Sequence, residues 1–459
     1  MRRICLALPT NRPCADTIAA IGDEAAYAAG RFGAEVHLLV LDSSDTPSRA
    51  EHARAARALT PVPGVTVHHL DEEQQRAFLR TVIHRSGAPG PDDLLDLMLP
   101  DTVSYGACTN RAFLLATALG CTSVHRRDSD STYQLLHGEP VFPIHHELLT
   151  LGRRAADAAA DVSTSELQPA DAEKPVSLVG GSFIGELSVD VGEIRELDPQ
   201  VYHDVVSLWA PPVWSDEQKQ ELVEASFTGG GTEPFTHDRS VLGAPDIWRV
   251  DMCNIALDHE VYERVPLPPA TETLGSDYFL LHVALDATLP GVVHNRHIVN
   301  HYTPGRRTGP GFTAYQLRFT RFLLSMLYLH PVYGEMIATG AALLDERHRV
   351  RADAILDAVR RSAGRDRAEN VRRLDVLDRG YRELGGRYAE FADHLAPRRA
   401  QLLDEAQADA ESFARLIEAW GPLVKAARDT AAPGTTARDS AAPGAGDSAP
   451  AGSAVKGSE

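Results

Sequence analysis

The chain has 459 residues, 43% hydrophobic and 24% charged, a globular composition long enough for two domains or one large domain with additions. Its 64 acidic and 45 basic residues leave a net charge of -19, which argues against a nucleic-acid-binding surface. The five cysteines (Cys5, Cys14, Cys108, Cys121, Cys253) form no CxxC pair and are odd in number, which argues against a disulfide framework or zinc cage and for a reducing cytoplasm. The first apolar run is too short for a signal peptide, and no stretch approaches the ~18–20 apolar residues of a membrane span.

In chain order, residues 4–8 read as a buried strand that ends at Pro9-Thr10-Asn11-Arg12-Pro13. A helix is expected over 15–32, capped by Gly33, then a second apolar strand over 36–41 that runs into Asp42-Ser43-Ser44-Asp45. Ser48-Arg49-Ala50-Glu51 has the form of a capping box opening a further helix. A third strand is expected over 65–69 and a helix over 72–84. Alternating strands and helices predict parallel crossover units and an α/β fold, with ligands beyond the carboxyl ends of the strands. Ser104 to Thr109 opens a helix that closes at Gly120, and a short strand follows, leading into His125-Arg126-Arg127-Asp128-Ser129-Asp130. Residues 151–175 read as a helix plus a mobile connection, 176–189 as containing a strand, and 205–245 as a loop-rich cover. Strands are expected over 247–256 and 292–302, with a helix within 272–285. From residue 312 to 425 the pattern turns helical, predicting four or five helices, and the Ala/Pro/Gly/Ser-rich end cannot bury enough surface to fold. The expected division is 1–310, a helical region over 311–427 and a disordered tail over 428–459.

Several stretches carry chemistry. On an extended backbone Asp128 and Asp130 face one side, where both could hold a hard cation. Asn110-Arg111, read as a helix start, suits a diphosphate through free N–H groups and a forked donor. Asp42 at a strand end can accept from a base N–H or a ribose hydroxyl. Asp277, in Gly275-Ser276-Asp277, is placed for a general base. His294, His297 and His301 stud one strand, and a neutral imidazole is a good third ligand beside two carboxylates. Arg306-Arg307 could clamp phosphate. Each also has a plain structural reading: polar turns for the two aspartate clusters, a solvent-facing Arg111, a helix cap for Asp277, hydrogen-bonded strand histidines, and a surface turn at Arg306.

The order of these pieces resembles a nucleotide-sugar glycosyltransferase of the GT-A fold, of the large inverting family that also includes polymer synthases, and is similar to the polypeptide N-acetylgalactosaminyltransferases. The resemblance covers about residues 1–305. It implies a Rossmann-like nucleotide-diphospho-sugar transferase domain with a mixed, mainly parallel sheet, followed by the helical region. It assigns donor binding to Pro9, Thr10, Arg12, Asp42, Asn110, Arg111, Asp128 and Arg306, and Mn²⁺ or Mg²⁺ to Asp128, Asp130 and His301, with His297 as second choice. Asp277 becomes the base of an inverting transfer to a small-molecule acceptor, a natural product in view of the high-GC-like composition. The turn here is Asp-Ser-Ser rather than the family's Asp-Asp-Gly-Ser, and Ser276 stands where an acid is usual. The absence of a Gln-x-x-Arg-Trp signature argues against a membrane-bound polymer synthase. Competing readings are a nucleotidyltransferase, against which the glycine-free first loop counts, and a degenerate, non-catalytic scaffold. The helical region could complete the acceptor pocket or form a homodimer.

Overall fold

A computed structural model describes residues 1–186, 191–227, 231, 233–300 and 308–433. The expected α/β architecture is present, with a mixed, mainly parallel sheet followed by a helical region. Strands β1 (Arg3–Thr10), β2 (Glu35–Asp42) and β3 (Val65–Asp71) pair in parallel, and β4 (Ser123–Arg127) joins β1 on its other edge. Beyond β4 the sheet continues through Asn254–Asp258, Leu178–Gly180, Gly291–His294, Ser240–Gly243 and Thr164–Ser165, nine strands among the described residues. Asn254–Asp258 runs antiparallel to both of its neighbours.

The alternation along β1 explains the layering. Ile4, Leu6 and Leu8 pack with α1 (Ala15–Phe32), whereas Cys5 and Ala7 face the core containing α3 (Glu72–Ser86), α4 (Pro91–Met98) and α5 (Tyr105–Ala118). A strand buried on both faces needs apolar residues at consecutive positions, as in a helix-covered parallel sheet. α1 spans the expected residues, and Gly33 ends it at φ 62°, where its N–H bonds the Ala29 carbonyl at 3.0 Å. α2 (Thr46–Ala58) starts earlier than the capping-box reading, because the Asp45 side chain accepts from the Ser48 N–H and Pro47 fits the first turn.

Three other expectations change. Residues 247–256 give only the strand Asn254–Asp258. The loop-rich stretch holds a helix, Asp216–Ala225, opened by a capping box at Ser215. The histidine-bearing segment is two short strands in different sheets, Gly291–His294 and Ile298–Asn300, so His297 lies between strands rather than within one.

The helical region contains Gly309–Thr339, Ala352–Ala363, Ala368–Leu384, Gly386–Leu395 and Arg399–Arg428. It shares one apolar core with the sheet domain, joining Phe113, Tyr262 and Phe279 to Phe319, Phe413 and Trp420. Trp420 Nε1 donates to the Tyr262 carbonyl at 2.8 Å, so its polar atom is satisfied while the ring is buried. Truncating a buried aromatic of this kind costs about 3–5 kcal/mol. Residues 434–459 of the expected tail lie outside the described residues. No helix among the described residues is long and apolar enough to cross a membrane.

Candidate functional site

The parallel strands β1–β4 end on one edge of the sheet, and the segments leaving those ends surround a cavity of about 450 Å³. Its lining includes Pro9 to Arg12, Ser43, Arg111, Arg126, Asp128, Asp130, Asp251, Asp277 and Tyr278. The antiparallel strand matters here. Asn254 pairs with Arg127, so the chain entering that strand brings Asp251 and Met252 beside the exit of β4.

Asp128 and Asp130 both reach the cavity, but through a turn rather than an extended run. Ser131 Oγ donates to the Asp128 carbonyl at 2.8 Å, and Thr17 Oγ1 to the Ser129 carbonyl at 3.1 Å, which pins the turn to α1. Each acid carries an arginine: Arg12 Nη1 on Asp130 Oδ2 at 2.5 Å, and Arg126 Nη2 on Asp128 Oδ1 at 3.0 Å. The other arm of Arg126, Nη1, donates to Asp277 Oδ2 at 2.5 Å.

Asp277 sits in the short 3-10 turn Ser276–Tyr278, entered through Gly275 at φ 70°. Only glycine fits there, because a Cβ would also meet the Phe322 ring at 2.8 Å. Burial pushes the Asp277 carboxyl above its usual range, Arg126 pulls against this, and the charges of Asp128 and Asp251 add to the rise. Burial opposes the Arg126 charge too, but Asp128 and Asp277 hold its guanidinium firmly protonated. Tyr278 donates its hydroxyl to Asp251 Oδ2 at 2.5 Å.

Arg111 lies in the second turn of α5 rather than at its start, because Ser104 caps the helix by accepting from Ala107. It still lines the cavity, with Nε on Gln75 and Nη1 on the Met98 carbonyl, and burial lowers its pKa. Asn110 does not line the cavity. Its amide donates to the Leu267 carbonyl at 2.9 Å and accepts the Leu267 N–H at 2.8 Å, which clamps α5 to the segment leading to Asp277. The same contact needs Gly106, where a Cβ would fall 1.9 Å from the Pro268 carbonyl oxygen.

Asp42 is fully buried at the end of β2, while Ser43 takes the place beside the cavity. Its Oδ2 meets His52 Nδ1 at 2.9 Å and His69 Nε2 at 2.8 Å, and its Oδ1 accepts from Ser44. The ligand atoms of Asp42, His52 and His69 lie within 4.8 Å of one another, the spacing of a cation site. The hydrogen bonding points elsewhere. His52 Nε2 accepts the Cys14 backbone N–H at 3.0 Å, so the ring proton belongs on Nδ1, facing Asp42, and that nitrogen has no lone pair for a metal. Burial raises the Asp42 pKa, but the bonds from His69, Ser44 and His52 outweigh it and hold the carboxyl well below its usual range.

His297 does not line the cavity; its Nδ1 accepts the Ser182 N–H at 3.0 Å and burial lowers its pKa to about 4. His301, Arg306 and Arg307 lie outside the described residues. Sequence reasoning missed Arg126, Tyr278 and Tyr105 as cavity residues. For Arg126 a signal was available. On β4, His125 and Arg127 point to one face, into a buried network with Glu24 and Glu147, so Arg126 and Asp128 share the other.

Fold and cavity together define an α/β protein whose charged site lies where such sheets bind ligands. The chain belongs to DUF6271, a family of unknown function whose model matches residues 2–436. No curated protein matches it. Among solved structures it is similar to the mannosyltransferase PcManGT of Pyrobaculum calidifontis, in complex with GDP-Man and Mn2+. That match has 13% identity over 91% of this chain and 88% of the other, at a TM-score of 0.32. A mycobacterial protein matches at 16% identity over 71% and 74%, TM-score 0.32. Core-mannan synthase A of Aspergillus fumigatus, in its Mn/GDP form, matches at 9% identity over 70% and 85%, TM-score 0.23.

Proposed function

We propose that the chain is a metal-dependent glycosyltransferase of the GT-A type, which moves a sugar from a nucleoside-diphosphate donor to a small-molecule acceptor with inversion. The observation that carries this reading is the convergence of Pro9 to Arg12, Asp128, Asp130 and Asp277 on one cavity at the carboxyl ends of the parallel strands. The donor set fits a divalent cation of the Mn²⁺ or Mg²⁺ kind, since Asp128 and Asp130 offer hard oxygens toward the cavity. Such a cation would neutralise charge on the departing nucleoside diphosphate. His301 is the proposed third ligand.

The chain's own residues supply the rest. Arg12 and Arg111 compensate diphosphate charge at the two sides of the cavity. With Oδ2 held by Arg126, Asp277 presents Oδ1 to the acceptor hydroxyl or amine and takes its proton as that oxygen or nitrogen attacks the anomeric carbon. Asp277 is 5% exposed, which limits the access of bulk water to the candidate base.

The test is a screen of nucleotide-sugar donors with Mn²⁺ or Mg²⁺, read as release of nucleoside diphosphate in the presence of acceptor hydroxyl and amine compounds. Release of pyrophosphate instead would mark a nucleotidyltransferase, and no thermal shift with any nucleoside diphosphate and Mn²⁺ would mark a scaffold.

A further inference from the structure

We infer that Arg126 is a positioning residue that ties donor binding to the candidate base, an inference that rests on the transferase reading. Arg126 lies on the central strand β4, its Cα opposite Ala7 on one side and Ile255 on the other, and its side chain is 4% exposed. One guanidinium serves two carboxylates far apart in the chain, Asp277 through Nη1 at 2.5 Å and Asp128 through Nη2 at 3.0 Å. Its Nε is buried without a hydrogen-bond partner among the described residues, so the side chain is held by these two carboxylates.

Asp277 needs such a hold. It stands in a one-turn 3-10 segment after a left-handed glycine, and the charges of Asp128 and Asp251 act on it unfavourably. The planar fork of arginine can fix two carboxylates at once, where the point charge of lysine fixes one. Asp128 is 30% exposed and is the end of this bridge that a donor reaches from the cavity. A donor that engages Asp128 leaves Asp277 as the undivided partner of Arg126, aligned at the moment an acceptor arrives.

The experiment compares the wild-type full chain with Arg126→Ala and Arg126→Lys, reading melting temperature, nucleoside-diphosphate affinity with Mn²⁺ by calorimetry, and the kcat and KM of transfer. Methylguanidine is added to Arg126→Ala as the missing fork. Arg126→Ala should lose about 100-fold in kcat, the size of a general-base contribution, while donor KM and nucleotide affinity move by no more than about fivefold. Methylguanidine should restore roughly tenfold of that loss, and Arg126→Lys should stay close to Arg126→Ala. A kcat within about threefold of wild type overturns the inference, as does a loss confined to KM, or a loss without rescue in a protein that melts like wild type. If Arg126→Ala does not fold, Arg126→Gln replaces it, and full kcat in that variant overturns the inference as well. A wild-type chain that releases no nucleoside diphosphate from any donor defeats the transferase reading itself, which separates the two failures.

Discussion

Two acidic sites stand at strand ends on either side of β1, and they differ in what their partners leave free. At the end of β2, Asp42 is sealed among His52, His69 and Ser44, with every partner donating a proton into it. At the end of β4, Asp128, Asp130 and Asp277 are held by arginines from one side and face the cavity on the other. The sealed cluster has the tighter ligand-like spacing, yet its imidazole nitrogens carry their protons toward the acid. Proximity of donor atoms is therefore a poor guide to a site; the direction of the hydrogen bonds and the access of solvent decide.

Replacing an acid in each cluster sharpens this contrast. Asp277→Asn should give the largest effect, a fall of about 100-fold or more in kcat with the fold intact, measured by initial rates of nucleoside-diphosphate release. Asp130→Ala comes next. It should weaken Mn²⁺-dependent nucleotide affinity by roughly tenfold to 100-fold in calorimetry, on the scale of losing one good metal ligand. Asp42→Asn should act on stability instead. The amide keeps one acceptor oxygen and turns an N–H2 donor on the remaining buried donors, which costs about 3 kcal/mol in denaturant unfolding, while kcat of the folded protein changes by less than about threefold.

The same cluster gives a pH dependence. The folded Asp42 carboxyl titrates below its ordinary value of 3.8, so its contribution to stability is complete above that value and is lost as pH falls below it toward the folded pKa. The stability gap between wild type and Asp42→Asn should therefore shrink below about pH 4, measured by urea unfolding across pH 3 to 7.

Much of the sheet domain was legible in the sequence because its signals are local. β1 and β2 are continuous apolar runs, α1 has its apolar spacing and a glycine cap, and the polar stretches after the strands fell at carboxyl ends. Beyond residue 308 the described residues form five α-helices, within the four or five that their period predicts. What failed was long-range. Whether Asp42 or Ser43 faces the cavity depends on which side chain turns inward after β2, and His52 and His69 come from two other elements. Asn110 looked like a diphosphate ligand but is consumed by Leu267, 157 residues away. The histidine strand broke in two because Asn295, Arg296 and His297 serve other segments. Asn295 bonds the Arg239 N–H and the His237 carbonyl, Arg296 takes Asp238, and His297 takes the Ser182 N–H. No local pattern announces such pairings.

Anomalous diffraction from crystals grown with Mn²⁺ and a nucleoside diphosphate locates the ion and so decides between the two acidic sites. The expected peak lies against Asp128 and Asp130 in the cavity, with Asp42, His52 and His69 still joined by hydrogen bonds. A peak seated on Asp42, His52 and His69, with the Asp128–Asp130 turn still on its arginines, would contradict this expectation.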